Sequence, residues 1–223
     1  MPYSGLTHPT YSSKIKCESY RIINIKIKTI LMLTIMSINE FFYVNYADRR
    51  VIVDLLFWQD KIEEYLTEFY DGNLANTLRT KFGICINKSQ YLLEATRDNP
   101  TKFRGVASNN MLHAGAIIEN RRGEIYLYED RQEHLLLDIL CSAPWNCLPQ
   151  SVFETKKGAA TWLIAEIIQE TSGAILKVAA IPTAIEFYRN IGFDENPDGS
   201  REMILTREKA LQFLEAYSER WRI

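Results

Sequence analysis

Hydrophobic and polar positions divide the chain into stretches of different period. Val51 to Trp58 runs into Ile62, Tyr65, Leu66 and Phe69, the i, i+3, i+4, i+7 spacing of a half-buried helix, and Asp71-Gly72-Asn73 stops it. Residues 74–104 carry no clear period and leave room for a further helix and a strand. Met111–Glu119 and Glu124–Tyr128 read as a hairpin about the turn Asn120-Arg121-Arg122-Gly123. His134–Ser142 is nearly continuous in apolar residues, which predicts a central strand ended by Pro144.

The clearest helix is predicted over Thr161–Ser172, where Ala160, Leu163, Ile164, Ile167 and Ile168 form one stripe and Gly173 suits the position past its end. A short strand, Ala174–Ala180, precedes Pro182, which fits a first helical turn. Ala184, Phe187, Tyr188 and Ile191 make the next stripe, with Gly192 as its stop. Phe193 and Arg201–Leu205 flank the turn Asn196-Pro197-Asp198-Gly199. A last helix carries Ala210, Phe213, Leu214, Tyr217 and Trp221. No repeat or low-complexity tract interrupts this order, which predicts one α/β domain.

Composition agrees with a folded domain. The 223 residues are 47% hydrophobic, 24% charged and 12% aromatic, wrong for disorder or a collagen-like chain. Twenty-six Lys and Arg against twenty-eight Asp and Glu give a net charge of −2, so no basic footprint points to nucleic acid. The charge is uneven, however. The first 37 residues hold Lys14, Lys16, Arg21, Lys26 and Lys28 against Glu18 alone, which leaves the rest net acidic.

That basic leader has a polar start and a ten-residue apolar run, Thr29–Ile38, able to span only about 15 Å as a helix, half a bilayer core. Ser37-Ile38-Asn39 is a poor cleavage site for a signal peptide. Residues 1–36 are therefore expected to be an extension or a misread start, with Met32 or Met36 as the true first residue, and 37–223 the single domain. Cys17, Cys85, Cys141 and Cys147 form no C-x-x-C pair and match no zinc framework; they read as reduced cytoplasmic thiols. No metal is expected. Metalloprotease, P-loop, Rossmann and hydrolase-elbow motifs are all missing from the sequence.

Two segments carry candidate chemistry. Lys156-Lys157-Gly158-Ala159-Ala160-Thr161 puts two cations and small residues at a helix start, where backbone N–H groups and the helix dipole favour an anion such as pyrophosphate. Ala184 to Phe193 places Tyr188, a possible proton donor to a leaving group, on an apolar stripe where a core aromatic is the plainer reading. Together they resemble the GNAT superfamily, the acyl-CoA-dependent N-acyltransferases. Lys157 to Ile164 is similar to the family's loop R-G-x-G/A-x-x-L-L, and Ala184 to Phe193 to its signature A-x-x-F-Y-x-x-x-G-F. The match runs from about Leu135 to Leu205, and extends to Tyr43 because Asn45-Tyr46-Ala47-Asp48 resembles the family's opening strand and turn.

The resemblance implies a mixed, mostly antiparallel sheet flanked by helices, its two central parallel strands splayed. Acetyl-CoA or another acyl-CoA would lie between those strands as co-substrate, held by Lys156, Lys157, Gly158, Ala159, Ala160 and Thr161. Backbone N–H groups near Cys141 and Ser142 would steady the carbonyl oxygen, and Tyr188 would protonate the departing thiolate. The acceptor would be an amine-bearing small molecule or peptide, with neither nucleic acid nor membrane as partner, and the protein a cytoplasmic monomer or homodimer. The acidic domain favours a basic acceptor such as a polyamine, though only weakly.

Asp138 is the candidate base. Strict strand alternation would set His134, Leu136, Asp138, Leu140 and Ser142 on one face, with Asp138 roughly 13 Å and His134 roughly 26 Å from Ser142. Asp138 can act only through water; His134 is too far, and His113 reads better as a packed strand histidine. The chain departs from the family pattern in three ways. Thr155 stands where Gln or Arg is usual, Ala160 is the second small residue, and thirteen residues, Trp145 to Lys157, separate Pro144 from Gly158. Two alternatives stay open: a catalytically silent CoA-binding module on the same fold, and a nucleotide binder using the lysine loop.

Overall fold

A computed structural model describes residues 41–123, 125 and 132–221. The leader 1–36 and, apart from Ile125, the strand expected over 124–128 lie outside them. The chain runs β1 (Phe42–Val44), α1 (Arg49–Tyr70), α2 (Lys81–Asp98), β2 (Phe103–Ser108), β3 (Met111–Gly123), β4 (Gln132–Ser142), α3 (Ala159–Glu170), β5 (Leu176–Ala179), α4 (Ile185–Ile191), β6 (Asp194–Glu195), β7 (Glu202–Leu205) and α5 (Arg207–Trp221), with short 3-10 turns between. Local chemistry sets the helix ends. The Asp48 carboxylate accepts from the N–H groups of Arg50 and Val51 at the start of α1, and Asp71 closes that helix in the left-handed region.

Among the described residues seven strands form one sheet in the order β1-β2-β3-β4-β5-β7-β6. Each pairing among these strands is antiparallel except that of β4 with β5. The fold class is thus the mixed, helix-flanked one expected. β4 takes the centre because Leu135, Leu137, Ile139 and Cys141 are all buried, which only a strand covered on both faces allows. One core lies under α3 and joins Leu163, Ile164, Ile167 and Ile168 to Ala114, Ala116, Leu135 and Leu137. The other lies under α1 and α2 and joins Leu55, Trp58, Phe82 and Leu92 to Leu112, Ile117 and Ile139.

Two register shifts correct the sequence reading. Ala107 pairs with Leu112 and Val106 with Ala114, so His113 is an extra residue on β3. Ile117 pairs with Ile139 and Ile118 with Leu137, so Asp138 is an extra residue on β4. Each bulge reverses the side-chain phase. Leu137 therefore packs into the core under α3 while Ile139, two residues on, packs into the other. The single face expected for His134 through Ser142 breaks at Asp138. The turn expected at Asn120–Gly123 is strand instead: β3 continues to Gly123 and pairs with β4 down to Gln132, its end carrying exposed Arg121 and Arg122. Among the described residues no helix is long and apolar enough to cross a membrane.

Candidate functional site

β4 and β5 pair only over Leu135–Leu137 and Leu176–Val178. Beyond that point β4 runs on to Ser142 while β5 ends at Ala179, and the two leave a gap at the sheet's centre. The Ala143 N–H donates to the His113 carbonyl on β3 at 2.9 Å. Alternation along a strand then turns the Ser142 N–H to the opposite edge, toward the gap.

The gap opens into a cleft of about 550 Å³, within the range of small-molecule sites. Cys141, Ser142, Lys156, Lys157, Gly158, Ala159, Ala160, Thr161 and Tyr188 all line it. The fold thus brings together, from three separate elements, every candidate residue except Asp138. Gly158 caps α3 at φ +86°, a conformation costly for any residue with a Cβ, and the space beside it is open. The Trp162 N–H makes the first helical bond, to the Gly158 carbonyl. The donors of Ala159, Ala160 and Thr161 are therefore first-turn groups with no partner inside the helix, the geometry that binds phosphate. These residues fit the diphosphate of CoA.

Tyr188 lies where the apolar stripe and the cleft meet. It packs in the core against the Phe187 and Phe193 rings, each 5.2 Å away, and it also faces the cleft. Burial pushes its phenol well above the ordinary range, so it stays protonated at neutral pH. Asp138 is placed elsewhere. It is exposed on the bulge, accepts from the Tyr91 hydroxyl of α2 at 3.0 Å, and is not among the cleft residues. The bulge explains the displacement. His134 lies at the far end of β4 with Nδ1 3.2 Å from the Gln132 carbonyl.

The thirteen-residue insertion forms a wall of the cleft, and its anchor was not readable in sequence. Trp145 is buried between Phe57, Trp58 and His113, and its indole N–H donates to His113 Nδ1 at 3.1 Å. Asn146 Nδ2 donates to the His113 carbonyl, and Asn146 Oδ1 accepts from the Lys156 N–H at 2.7 Å. Thr155, the departure from the family pattern, bonds the Trp145 carbonyl and the Val152 N–H, pinning the loop on itself. The β3 bulge thus holds the lysine loop in place. The cleft lining carries Lys81, Lys88, Lys156 and Lys157 and, among the described residues, no Asp or Glu. The charge along the cleft is thus opposite in sign to that of the domain as a whole.

His113 is fully buried, and burial, aided by the charge of Lys156, lowers it to about 4 against a small opposing effect of the Ser108 backbone. A histidine depressed in the folded state binds its proton more readily when unfolded. Its contribution is therefore complete above pH 6.5 and is lost as pH falls toward 4, an effect on the order of 2 kcal/mol. Urea midpoints measured across that window should fall less steeply for His113→Gln, which keeps an acceptor for Trp145. Parallel curves would mean His113 titrates normally.

Among the described residues the fold joins a seven-stranded sheet, one splayed parallel pair, a glycine-capped helix between those strands and a tyrosine helix after them, the arrangement that the resemblance to the GNAT superfamily implies. No family model matches the chain. No curated protein matches it either. Among solved structures it is similar to the YlbP N-acetyltransferase of Bacillus subtilis in complex with coenzyme A, at 16% identity over 54% of this chain and 81% of that one, TM-score 0.38. A GNAT family acetyltransferase from Brucella melitensis in complex with acetyl-CoA matches at 10% identity over 75% and 88%, TM-score 0.43. A mutant of KacT matches at 16% identity over 78% and 99%, TM-score 0.44.

Proposed function

We propose that the protein is an acyl-CoA-dependent N-acyltransferase, with residues 37–223 as its single domain. The observation that carries this reading is the convergence of a glycine-capped helix start, a strand-end N–H and Tyr188 on one cleft. The CoA diphosphate sits on the first turn of α3 beside Lys156 and Lys157. The acceptor nitrogen attacks the thioester carbonyl, the Ser142 N–H stabilises the developing oxyanion, and the C–S bond breaks as Tyr188 gives its proton to the CoA thiolate.

Asp138 is not retained as the base. Lys81 and Lys88, the two cleft lysines not taken up by the diphosphate, supply another route: positive charge around a bound ammonium lowers its pKa and favours the free amine, whose proton leaves to water. The same lysines favour an acceptor bearing an anionic group beside its amine, a small molecule in a cleft of this size.

Thermal unfolding tests the reading. Acetyl-CoA at about 100 times its Kd should add roughly 2.7 kcal/mol, a clear rise in Tm, while ATP at equal concentration should not. Stabilisation by ATP alone would favour a nucleotide binder. Acetyl-CoA binding without CoA release in the presence of any amine, aminoalkyl phosphates included, would leave a silent CoA-binding module.

A further inference from the structure

Three thiols meet at one backbone atom in the cleft. The Sγ atoms of Cys85 on α2 and Cys141 on β4 each lie 3.4 Å from the Ser142 carbonyl oxygen, and that of Cys147 on the insertion lies 3.9 Å from it. Cys85 is also within hydrogen-bonding reach of both other thiols. All three line the cleft, and all three are free. Nothing in the proposed acyl transfer uses them.

A metal site is the first alternative to weigh. Among the described residues no three His, Cys, Asp or Glu side chains are arranged to hold an ion. What the cluster offers is thiol chemistry, and its members differ in access. Cys85 and Cys141 are buried, whereas Cys147 is only half-buried on the cleft wall. The thiols of Cys141 and Cys147 beside it, together with burial, raise Cys85 well above the ordinary thiol range. Cys85 therefore stays protonated and is a poor first nucleophile, leaving Cys147 as the entry point.

We propose that Cys147 is a modification site for low-molecular-weight disulfides, and that Cys85 resolves the adduct into a Cys85–Cys147 disulfide that closes the cleft. In the first step the Cys147 thiolate attacks one sulfur of R–S–S–R, forming Cys147–S–S–R and releasing R–S⁻, which takes up a proton. In the second step Cys85 loses its proton and attacks the Cys147 sulfur, releasing the second R–SH. Two protein thiols are oxidised and the small disulfide is reduced to two thiols. The product ties α2 to the insertion across the acyl-CoA cleft. Its blocking of acyl-CoA rests on the function proposed above; the disulfide does not.

The full chain is incubated in glutathione buffers stepped from reducing to oxidising, and all four cysteines are then mapped by peptide mass spectrometry. The expected product is a Cys85–Cys147 disulfide, reversed by dithiothreitol. Cys85→Ser should stop at a glutathione adduct on Cys147, Cys147→Ser should stay reduced at Cys85, and Cys141→Ser should oxidise as the wild type does. The oxidised protein should lose the Tm rise given by acetyl-CoA. Free thiols throughout, a Cys141–Cys147 pair, or undiminished acetyl-CoA stabilisation of the disulfide form would each overturn the proposal. If the reduced protein gains no stability from acetyl-CoA, the function reading fails, while the mapped disulfide still stands or falls separately.

Discussion

Tyr188→Phe should leave the protein folded and slow CoA release from acetyl-CoA by about 10²-fold or more, the usual contribution of a positioned proton donor. The substitution removes one hydroxyl and no packing. The ring is 5% exposed and held edge-on by Phe187 and Phe193, contacts that phenylalanine keeps. Burial raises the phenol, so the wild-type side chain carries its proton throughout the neutral range. The loss should fall on kcat and leave the apparent affinity for acetyl-CoA near its original value, because the hydroxyl acts on a charge that develops only as the C–S bond breaks. Single-turnover thiol release, paired with a melting curve for each protein, separates this from a folding defect. An unchanged rate with every amine tested would return Tyr188 to the role of a core aromatic.

The elements that carry this chemistry were largely legible in the sequence, for a physical reason. The stripe Leu163, Ile164, Ile167, Ile168 and the glycine before it encode a helix and its start locally, and the structure moves that start only from Thr161 to Ala159. α2 was not legible. Its buried face includes Ser89 and Thr96 where an apolar stripe would announce a helix, and its first turn holds Gly83, where a Cβ would sit 2.3 Å from the Thr77 carbonyl oxygen. Nor were the bulges legible, because a bulge is a property of two strands in register. His113 and Asp138 look like ordinary members of an alternating strand until Ala107 is seen opposite Leu112, and Ile118 opposite Leu137. The misplacement of Asp138 followed from that one missing residue of phase. The thiol cluster is likewise tertiary, built from positions 56 residues apart or more on the α2 side and six apart on the loop side.

Trp145→Ala should cost about 3–5 kcal/mol, the usual range for truncating a buried tryptophan, and should weaken acetyl-CoA binding with it. Trp145 is 1% exposed and packs against Phe57, Trp58 and His113, so its removal leaves a cavity between α1 and the β3 bulge. It also leaves His113 Nδ1 without its donor inside the core. The damage reaches the cleft through the chain itself. The Trp145 carbonyl holds Thr155, and the adjacent Asn146 holds the N–H of Lys156, two residues before the helix cap at Gly158. Phe153 provides the internal comparison. It lies in the same loop but is fully exposed, so Phe153→Ala should change stability by no more than about 0.5 kcal/mol. Urea unfolding of the three proteins, followed by acetyl-CoA titration of each at a temperature where all are folded, tests both halves. If Trp145→Ala unfolds at the wild-type urea concentration, the loop is held by its hydrogen bonds alone. If it is destabilised yet binds acetyl-CoA as tightly as before, the insertion supports the fold without shaping the site.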